Sequence, residues 1–175
     1  SSLRPDCLAK DRLQLWLPST SRLPHTPLPP RDSLRIRNVI VHSWAPATRA
    51  TYGSGLVLFH DFCDRRSVPE RQRAPASAAL LEAFVAATAG SYAATTIGNA
   101  LAGIRAWHLA HRLPWKIEEN GMKTLLQAAK SLAPDTSKRK QCSPCTVDYL
   151  QAILPHLDLS LPKDAAVWAC ATSAF

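Results

Sequence analysis

The stretch TYGSGLVLFHDFC, residues 51–63, decides the fold predicted for this chain. Two glycines separated by one residue also occur in phosphate-binding loops, but such a loop needs a preceding apolar strand and further glycines, and the sequence has neither here. The apolar side chains instead follow steps of four, three, three and one, at Tyr52, Leu56, Phe59, Phe62 and Cys63. That spacing places them on one face of a helix, and close packing can offset the cost of about 1 kcal/mol for each helical glycine. The stretch therefore predicts a buried helix.

The neighbouring segments repeat this helical period. RDSLRIRNVIVHSWA (31–45) predicts a short first helix that Asp32 or Ser33 can cap. After residues 51–63, a basic loop leads to a third helix that begins after Ser77 and ends at Gly90. A fourth helix ends before Pro114. The core faces of these last two helices are read from the apolar spacing at Leu80, Leu81, Phe84, Val85, Thr88, Ile97, Leu101, Ile104 and Trp107 or His108.

The last third of the chain predicts three more helices. GMKTLLQAAKSLAP (121–134) supplies a fifth helix whose inner residues are Met122, Leu125, Leu126, Ala129 and Leu132. DTSKRKQCSP (135–144) is polar and basic and reads as a tether. Thr146 can cap the next helix, and PKDAAVWACATSAF (162–175) begins another with a proline in its first turn.

Composition supports an all-α fold with one main core. Of the residues, 46% are hydrophobic, and many of these are alanine and leucine, which favour helix over sheet. Residues 1–30 hold six of the 14 prolines and show no sustained period, which predicts a flexible arm. The expected organisation is the arm (1–30), a helical domain (31–137), a basic linker (138–145) and a second helical segment (146–175).

The charge balance points to a polyanionic partner. Twenty-one Lys and Arg residues against 13 Asp and Glu give a formal charge of +8, which favours nucleic acid over a small-molecule substrate. No run of 18 apolar residues predicts a membrane span, and the chain opens without a secretory leader. Five scattered cysteines do not form a disulfide pattern and favour a reducing, intracellular compartment.

The sequence offers little for catalysis, metals or cofactors. Cys142 and Cys145 have the spacing of half a zinc site or of a redox pair, but no second pair of ligands accompanies them. Glu118 and Glu119 are adjacent and so cannot share a helix face. We expect no metal, no cofactor and no catalytic residue in this chain.

The order of segments adds a family resemblance. The runs SWAPATRATY (43–52), LxxFxxFC (56–63) and AATTIGNALAGIRAWH (93–108), followed by the KRK run at 138–140 and the helix after Thr146, resemble tyrosine recombinases of the phage-integrase family, in particular Crypton-type members from fungi. The resemblance spans about residues 33–175. It implies a compact orthogonal bundle of four to five helices, the core-binding (SAM-like) domain, that clamps DNA together with a catalytic domain.

What the resemblance implies for function is DNA integration or recombination. Residues 146–175 match the first helices of the catalytic domain, and the family's catalytic arginines, histidine and tyrosine nucleophile have no counterpart in this chain. We therefore expect a fragment that ends before the catalytic residues, which binds double-stranded DNA, forms oligomers on it, and acts in the nucleus if the source is eukaryotic. The rival hypothesis is a helical protein-interaction module, including a recombinase remnant that no longer cuts DNA.

The DNA-binding candidates fall into three groups, each with an alternative interpretation. The first group lies at the start of the second helix and comprises Thr48, Arg49 and Thr51. These residues either contact phosphate or form a simple helix cap beside a solvated arginine. On the fourth helix, which the resemblance places in the major groove, the candidates are Thr95, Thr96, Asn99, Arg105 and His108. The alternative is a packed helix with Thr95 or Thr96 as its cap and His108 in the core. The third group lies in the linker and comprises Lys138, Arg139 and Lys140. These residues either contact DNA phosphates or belong to a solvated loop without a partner role.

Four further arginines, Arg65, Arg66, Arg71 and Arg73, lie close to Asp64 and Glu70 in the sequence. We interpret them as surface charge.

Overall fold

The computed structural model describes residues 2–19, 29–137 and 146–173, and of Glu119 the backbone alone. Over these residues the chain is all-helical and has no strand. The chain divides into two compact units, residues 1–138 and 139–175, and the division falls at the start of the predicted linker. In unit 1 the α-helices are α1 (Arg12–Leu15), α2 (Pro30–Val41), α3 (Pro46–Arg65), α4 (Glu70–Arg73), α5 (Ala78–Thr88), α6 (Ala94–Ala110) and α7 (Glu119–Ser131).

The two longest helices, α3 and α6, form the centre of unit 1, and glycines set how closely they pack. A Cβ atom on Gly55 would lie 2.5 Å from the Cα atom of Ala100, and one on Gly103 would lie 2.5 Å from the carbonyl oxygen of Tyr52. Since residue 55 faces 100 while 52 faces 103, the helices run antiparallel. The predicted buried helix over residues 51–63 is thus confirmed, and its second glycine is a packing residue.

The core surrounds this pair and follows the predicted apolar spacing. Ser77 caps α5 by accepting a hydrogen bond from the backbone N–H of Leu80 at 3.2 Å. The predicted inner residues of α3, α5 and α6 that are buried are Leu56, Phe59, Phe62, Cys63, Leu81, Phe84, Val85, Thr88, Ile97, Leu101, Ile104 and Trp107. On α7, Ala129 is buried, whereas Leu132 follows the last turn and is exposed.

The amino-terminal segment differs from its prediction as a flexible arm. Leu3 and Leu13 are buried, and the indole Nε1–H of Trp107 donates to the carbonyl oxygen of Trp16 at 2.7 Å. A side chain at Gly53 would collide with the backbone of Ala9, so this glycine lets the segment lie directly on α3. Residues 2–19 are therefore part of the domain; residues 20–28 of the predicted arm lie outside the described residues.

The start of α2 also differs from its prediction. The helix begins at Pro30 after Pro29, so Asp32 and Ser33 lie in its first turn and their backbone N–H groups bond to the Pro29 carbonyl. Proline is favoured at a first helical position because it lacks the N–H that would stay unpaired there, and the helix therefore starts three to four residues earlier than a cap at Asp32 or Ser33 predicts.

The second unit contains α8 (Val147–Ile153), a short 3-10 turn at Leu154–His156 and α9 (Pro162–Ser173). Thr146 caps α8 as predicted, accepting from the backbone N–H of Tyr149 at 3.3 Å. Among the residues described here, only Leu150 is buried in α8 and no residue is buried in α9.

Candidate functional site

An open groove of about 610 Å³ runs between α3 and α6 on the surface of unit 1. We call it the α3–α6 groove. Its floor is apolar and is formed by Gly55, Leu58 and Ala100, with Val57 and Tyr92 beside it. The polar groups that line it come from both helices, at Thr51, Ser54, Asp61, Thr96 and Asn99. Three of the predicted DNA-binding residues, Thr51, Thr96 and Asn99, are thereby brought together.

The hydroxyl groups from α3 are oriented by their own helix. Thr51 Oγ1 donates to the carbonyl of Ala47 at 3.1 Å, and Ser54 Oγ donates to that of Ala50 at 3.0 Å. With the hydrogen used inside the helix, each oxygen presents lone pairs outward and acts as an acceptor. Asn99 is exposed, and no described residue hydrogen-bonds its amide, so it offers both a donor and an acceptor.

A second pocket of about 470 Å³ continues the groove beyond Asp61 and contains Arg65 and Arg66. The Arg65 guanidinium pairs with the Asp61 carboxylate at 2.9 Å. Arg66 stacks with its guanidinium carbon 4.9 Å from the centre of the Phe62 ring, and among the described residues it has no ion-pair partner. A stacked, uncompensated arginine at the end of a groove is suited to hold a phosphate.

Sequence reasoning missed this pair of arginines as part of the site. The i, i+4 spacing of Asp61 and Arg65 indicates an ion pair on the helix surface, but the connection between α5 and α6 that completes the pocket is set by tertiary structure. The other two arginines of the predicted surface group separate: Arg71 is exposed, whereas Arg73 is buried.

At the start of α3 only one of the three predicted residues reaches the groove. The helix begins at Pro46 after Ala45, which gives no side-chain cap, so neither Thr48 nor Thr51 acts as a cap. Arg49 precedes Thr51 by two residues and so points about 160° away from it around the helix. Its side chain is half-buried with Nε unpartnered, and neither Thr48 nor Arg49 lines the groove.

The α6 candidates divide in the same way. Thr95 and Arg105 are exposed but do not line the groove, and the cap position belongs to Ala93 instead of Thr95 or Thr96. His108 is fully buried, which corrects its assignment as a DNA contact. Its Nε2 accepts from the backbone N–H of Ala76 at 2.9 Å, and its Nδ1 lies 2.8 Å from the carbonyl of Ile104. These bonds satisfy the imidazole inside the core, and burial lowers its pKa.

An ionic cluster around the buried Arg73 and the exposed Asp64 joins the amino-terminal segment to the end of α3. Arg73 pairs with Asp64 at 2.7 Å and donates twice to the carbonyl of Val68, while Arg4 bridges Asp64 and Glu70 at 3.2 and 2.6 Å. Burial acts to raise the pKa of Asp64, but its bonds to Arg73 and Arg4 hold that pKa below its usual value. With every charge compensated, this cluster has a structural role.

His60 adjoins this cluster but is not poised for proton transfer. Burial, together with the charges of Arg4 and Arg73, lowers its pKa to about 3. The ring is nearly buried and contacts Trp16, Phe59 and Trp107 edge to face. A general base working near neutral pH needs a pKa close to that pH and access to substrate, and His60 has neither.

Several sequence predictions fall outside the described residues. These are the linker cations Lys138, Arg139 and Lys140 and the pair Cys142 and Cys145. Within residues 2–19, 29–137 and 146–173, no group of His, Cys, Asp or Glu is arranged to hold a metal ion. Over the same ranges, no helix has the length and apolar character needed to cross a membrane.

Comparison of the chain with family models, curated proteins and solved structures gave no match. Its function is therefore inferred from its own residues.

Proposed function

We propose that this chain binds double-stranded DNA through the α3–α6 groove and Arg66, as the core-binding part of a site-specific tyrosine recombinase. The observation that carries the proposal is the convergence of Thr51, Thr96 and Asn99, from two antiparallel helices, on one open surface. Hydroxyl and amide groups are suited to base edges, and a nearby arginine is suited to the phosphate backbone.

Charge and shape support a duplex in preference to a small molecule. The chain carries a formal charge of +8, which raises the local concentration of a polyanion. The groove is open along its length, whereas small-molecule sites enclose most of their ligand. The resemblance of residues 33–175 to recombinases supports the same assignment, and assembly of several copies on one DNA site, in the nucleus of a eukaryotic source, belongs to the proposal.

The proposed role is binding without strand cleavage. The charged groups around Asp64 are ion-paired with one another, and His60 and His108 are buried in the core with lowered pKa values, so neither set is available for proton transfer to a ligand. Chemistry in the proposed assembly belongs to the family's catalytic arginines, histidine and tyrosine, which have no matching positions here.

Fluorescence anisotropy with a labelled duplex across a salt series tests the proposal. If Arg65 and Arg66 each neutralise one phosphate, log Kd changes with log salt with a slope of about 2. Binding that weakens steeply with salt supports the proposal. Absence of binding at low salt, or binding that salt does not change, overturns it.

The exposed apolar residues of unit 2 favour one second candidate, a protein-interaction module. In that unit Val147, Tyr149, Leu159 and Leu161 are exposed, as is Val167 on α9. An apolar helix face that docks in a groove of a protein depends little on salt, so the same salt series separates the two functions.

A further inference from the structure

We infer that the α3–α6 groove reads A·T base pairs in the major groove of DNA, an inference that rests on the proposed DNA-binding function. Four observations carry it: an available amide, outward-facing acceptors, exposed apolar surface, and the position of the arginines beyond the groove.

The amide of Asn99 is the first observation. In the major groove, adenine presents the N7 acceptor and the N6 amino donor side by side, and an asparagine amide pairs with both at once. Asn99 is exposed, lines the groove and has no hydrogen-bond partner among the described residues. Its amide can therefore turn to the orientation that adenine requires without breaking a bond.

The hydroxyl oxygens of Thr51 and Ser54 add acceptors on the facing helix. Because each donates its hydrogen to its own helix, at 3.1 and 3.0 Å, each can only accept from the base it meets. Adenine N6 is such a donor, whereas the guanine edge offers acceptors alone. Cytosine N4 is also a donor, so these hydroxyls by themselves do not choose between the two pairs.

Apolar surface in the groove distinguishes thymine from cytosine. Val57 is 40% exposed and Tyr92 is 41% exposed, and both line the groove beside Leu58. The methyl group of thymine is the one apolar feature on a base edge in the major groove, and contact with apolar side chains recognises it. A groove with this lining gains buried apolar area from thymine that cytosine cannot supply.

The side chains that would read a G·C pair are either outside the groove or already ion-paired. Guanine is read by arginine or lysine, and neither type is among the residues found to line this groove. Arg65 and Arg66 lie in the adjoining pocket. The acceptor that suits cytosine is a carboxylate, and both oxygens of Asp61 are engaged by Arg65, at 3.2 and 2.9 Å.

Competition anisotropy with the full chain tests the inference. Four duplexes of equal length are compared. The first has mixed A·T sequence and the second mixed G·C sequence. The third is the A·T duplex with uracil replacing thymine and 7-deazaadenine replacing adenine, and the fourth consists of inosine·cytosine pairs. Inosine·cytosine resembles A·T in the minor groove and G·C in the major groove, so it separates readout in the two grooves. Asn99→Ala is compared with Thr95→Ala, an exposed residue of α6 outside the groove.

The expected result is preference for A·T over G·C by about tenfold, loss of that preference in the uracil and deazaadenine duplex, and inosine·cytosine bound like G·C. Asn99→Ala should remove most of the preference, and Thr95→Ala should keep it. Equal binding of all duplexes overturns the inference and leaves the proposed function standing. A preference shared by inosine·cytosine overturns it in favour of minor-groove reading. A preference unchanged in Asn99→Ala overturns it because the Asn99 amide then does not read adenine. Absence of binding to every duplex at low salt overturns the proposed function itself.

Discussion

Trp107, in the last turn of α6, is hydrogen-bonded to the backbone of Trp16: the indole Nε1–H donates to the Trp16 carbonyl at 2.7 Å, across 91 residues of sequence. The donor ring is buried, and its neighbours include His60 and His111. This bond helps to attach residues 2–19 to the core, although the proline content of residues 1–30 predicts a flexible arm.

Trp107→Phe should therefore weaken both the core and the attachment of this segment. Loss of the bond and of ring volume should lower the free energy of unfolding by about 2 kcal/mol, measured by urea denaturation followed by circular dichroism. Trypsin should cut faster at Lys10, which is exposed. Trp44→Phe, which shortens a half-buried ring packed on Tyr52, is the control, and equal proteolysis of the two variants would contradict the role of the bond.

Two glycines of the central helices should respond in opposite directions to the same substitution. Gly55→Ala places a methyl group against the backbone of Ala100 and should destabilise the fold by about 1–3 kcal/mol. Gly98→Ala, on α6, meets open space and should stabilise it by about 0.5–1 kcal/mol through helix propensity. Urea midpoints compare the two, and a neutral Gly55→Ala would show that the helices can move apart at no cost.

Acid should destabilise the fold through buried histidines. Burial lowers the pKa of His60 and of His111 from 6.5 to about 3, assisted by Arg4 and Arg73 at the first and by Arg37 at the second. Between these values the unfolded chain binds more protons than the folded chain, so the free energy of unfolding falls as pH falls. The expected slope is about 1.4 kcal/mol per pH unit for each histidine.

Denaturation at pH 6 and pH 5 measures this slope in a window where Asp64, whose pKa lies below its usual value, stays ionised. His60→Phe removes one titrating group and should reduce the slope by about 1.4 kcal/mol per pH unit, whatever its effect on absolute stability. The same slope in the variant and the parent would show that His60 is protonated in the folded state.

Arg66 should contribute more to DNA binding than an arginine away from the groove. Arg66→Ala should weaken binding several-fold and make the salt slope shallower by about one unit, as expected for one lost phosphate contact. Arg71→Ala removes the same charge from an exposed position on α4 and should change neither. Equal effects of the two substitutions would indicate that net charge, without a defined site, drives binding.

Asp61 should oppose DNA binding, since it is the carboxylate that lines the groove. Asp61→Asn removes a charge that repels phosphate and leaves Arg65 without its ion-pair partner, so affinity should rise a few-fold at low salt and by less at high salt. Anisotropy titrations at two salt concentrations measure the change. Weaker binding by this variant would mean that Asp61 accepts a hydrogen bond from a base.

Periodicity predicts the helices that supply much of the core, because the apolar spacing at Leu56, Phe59 and Phe62 or at Ile97, Leu101 and Ile104 follows directly from burial of one face. Side-chain caps at Ser77 and Thr146 are equally local and are confirmed. The packing of residues 2–19 is not local: it depends on Trp107 and on the space that Gly53 leaves, which no pattern within residues 2–19 reveals.

The candidate site shows the same division. Exposed polar residues on α3 and α6 can be named from the sequence, but whether they meet depends on the rotation of each helix. Thr51, Thr96 and Asn99 converge, while Arg49 turns away and His108 enters the core. The contribution of Arg66 depends on its stacking on Phe62, a contact between a residue just after α3 and the last turns of that helix.

The glycines of the GSG triplet have a mechanical consequence. The backbone of Ala9 covers Gly53, and the backbone of Ala100 covers Gly55. Helix α3 is therefore in close backbone contact on two sides that lie about 160° apart around its axis. Because backbone atoms contact α3 closely on both sides, rotation of the helix about its own axis is restricted. Thr51 and Ser54 are thereby held at fixed angles before any ligand arrives, and little orientational entropy remains to be lost on binding.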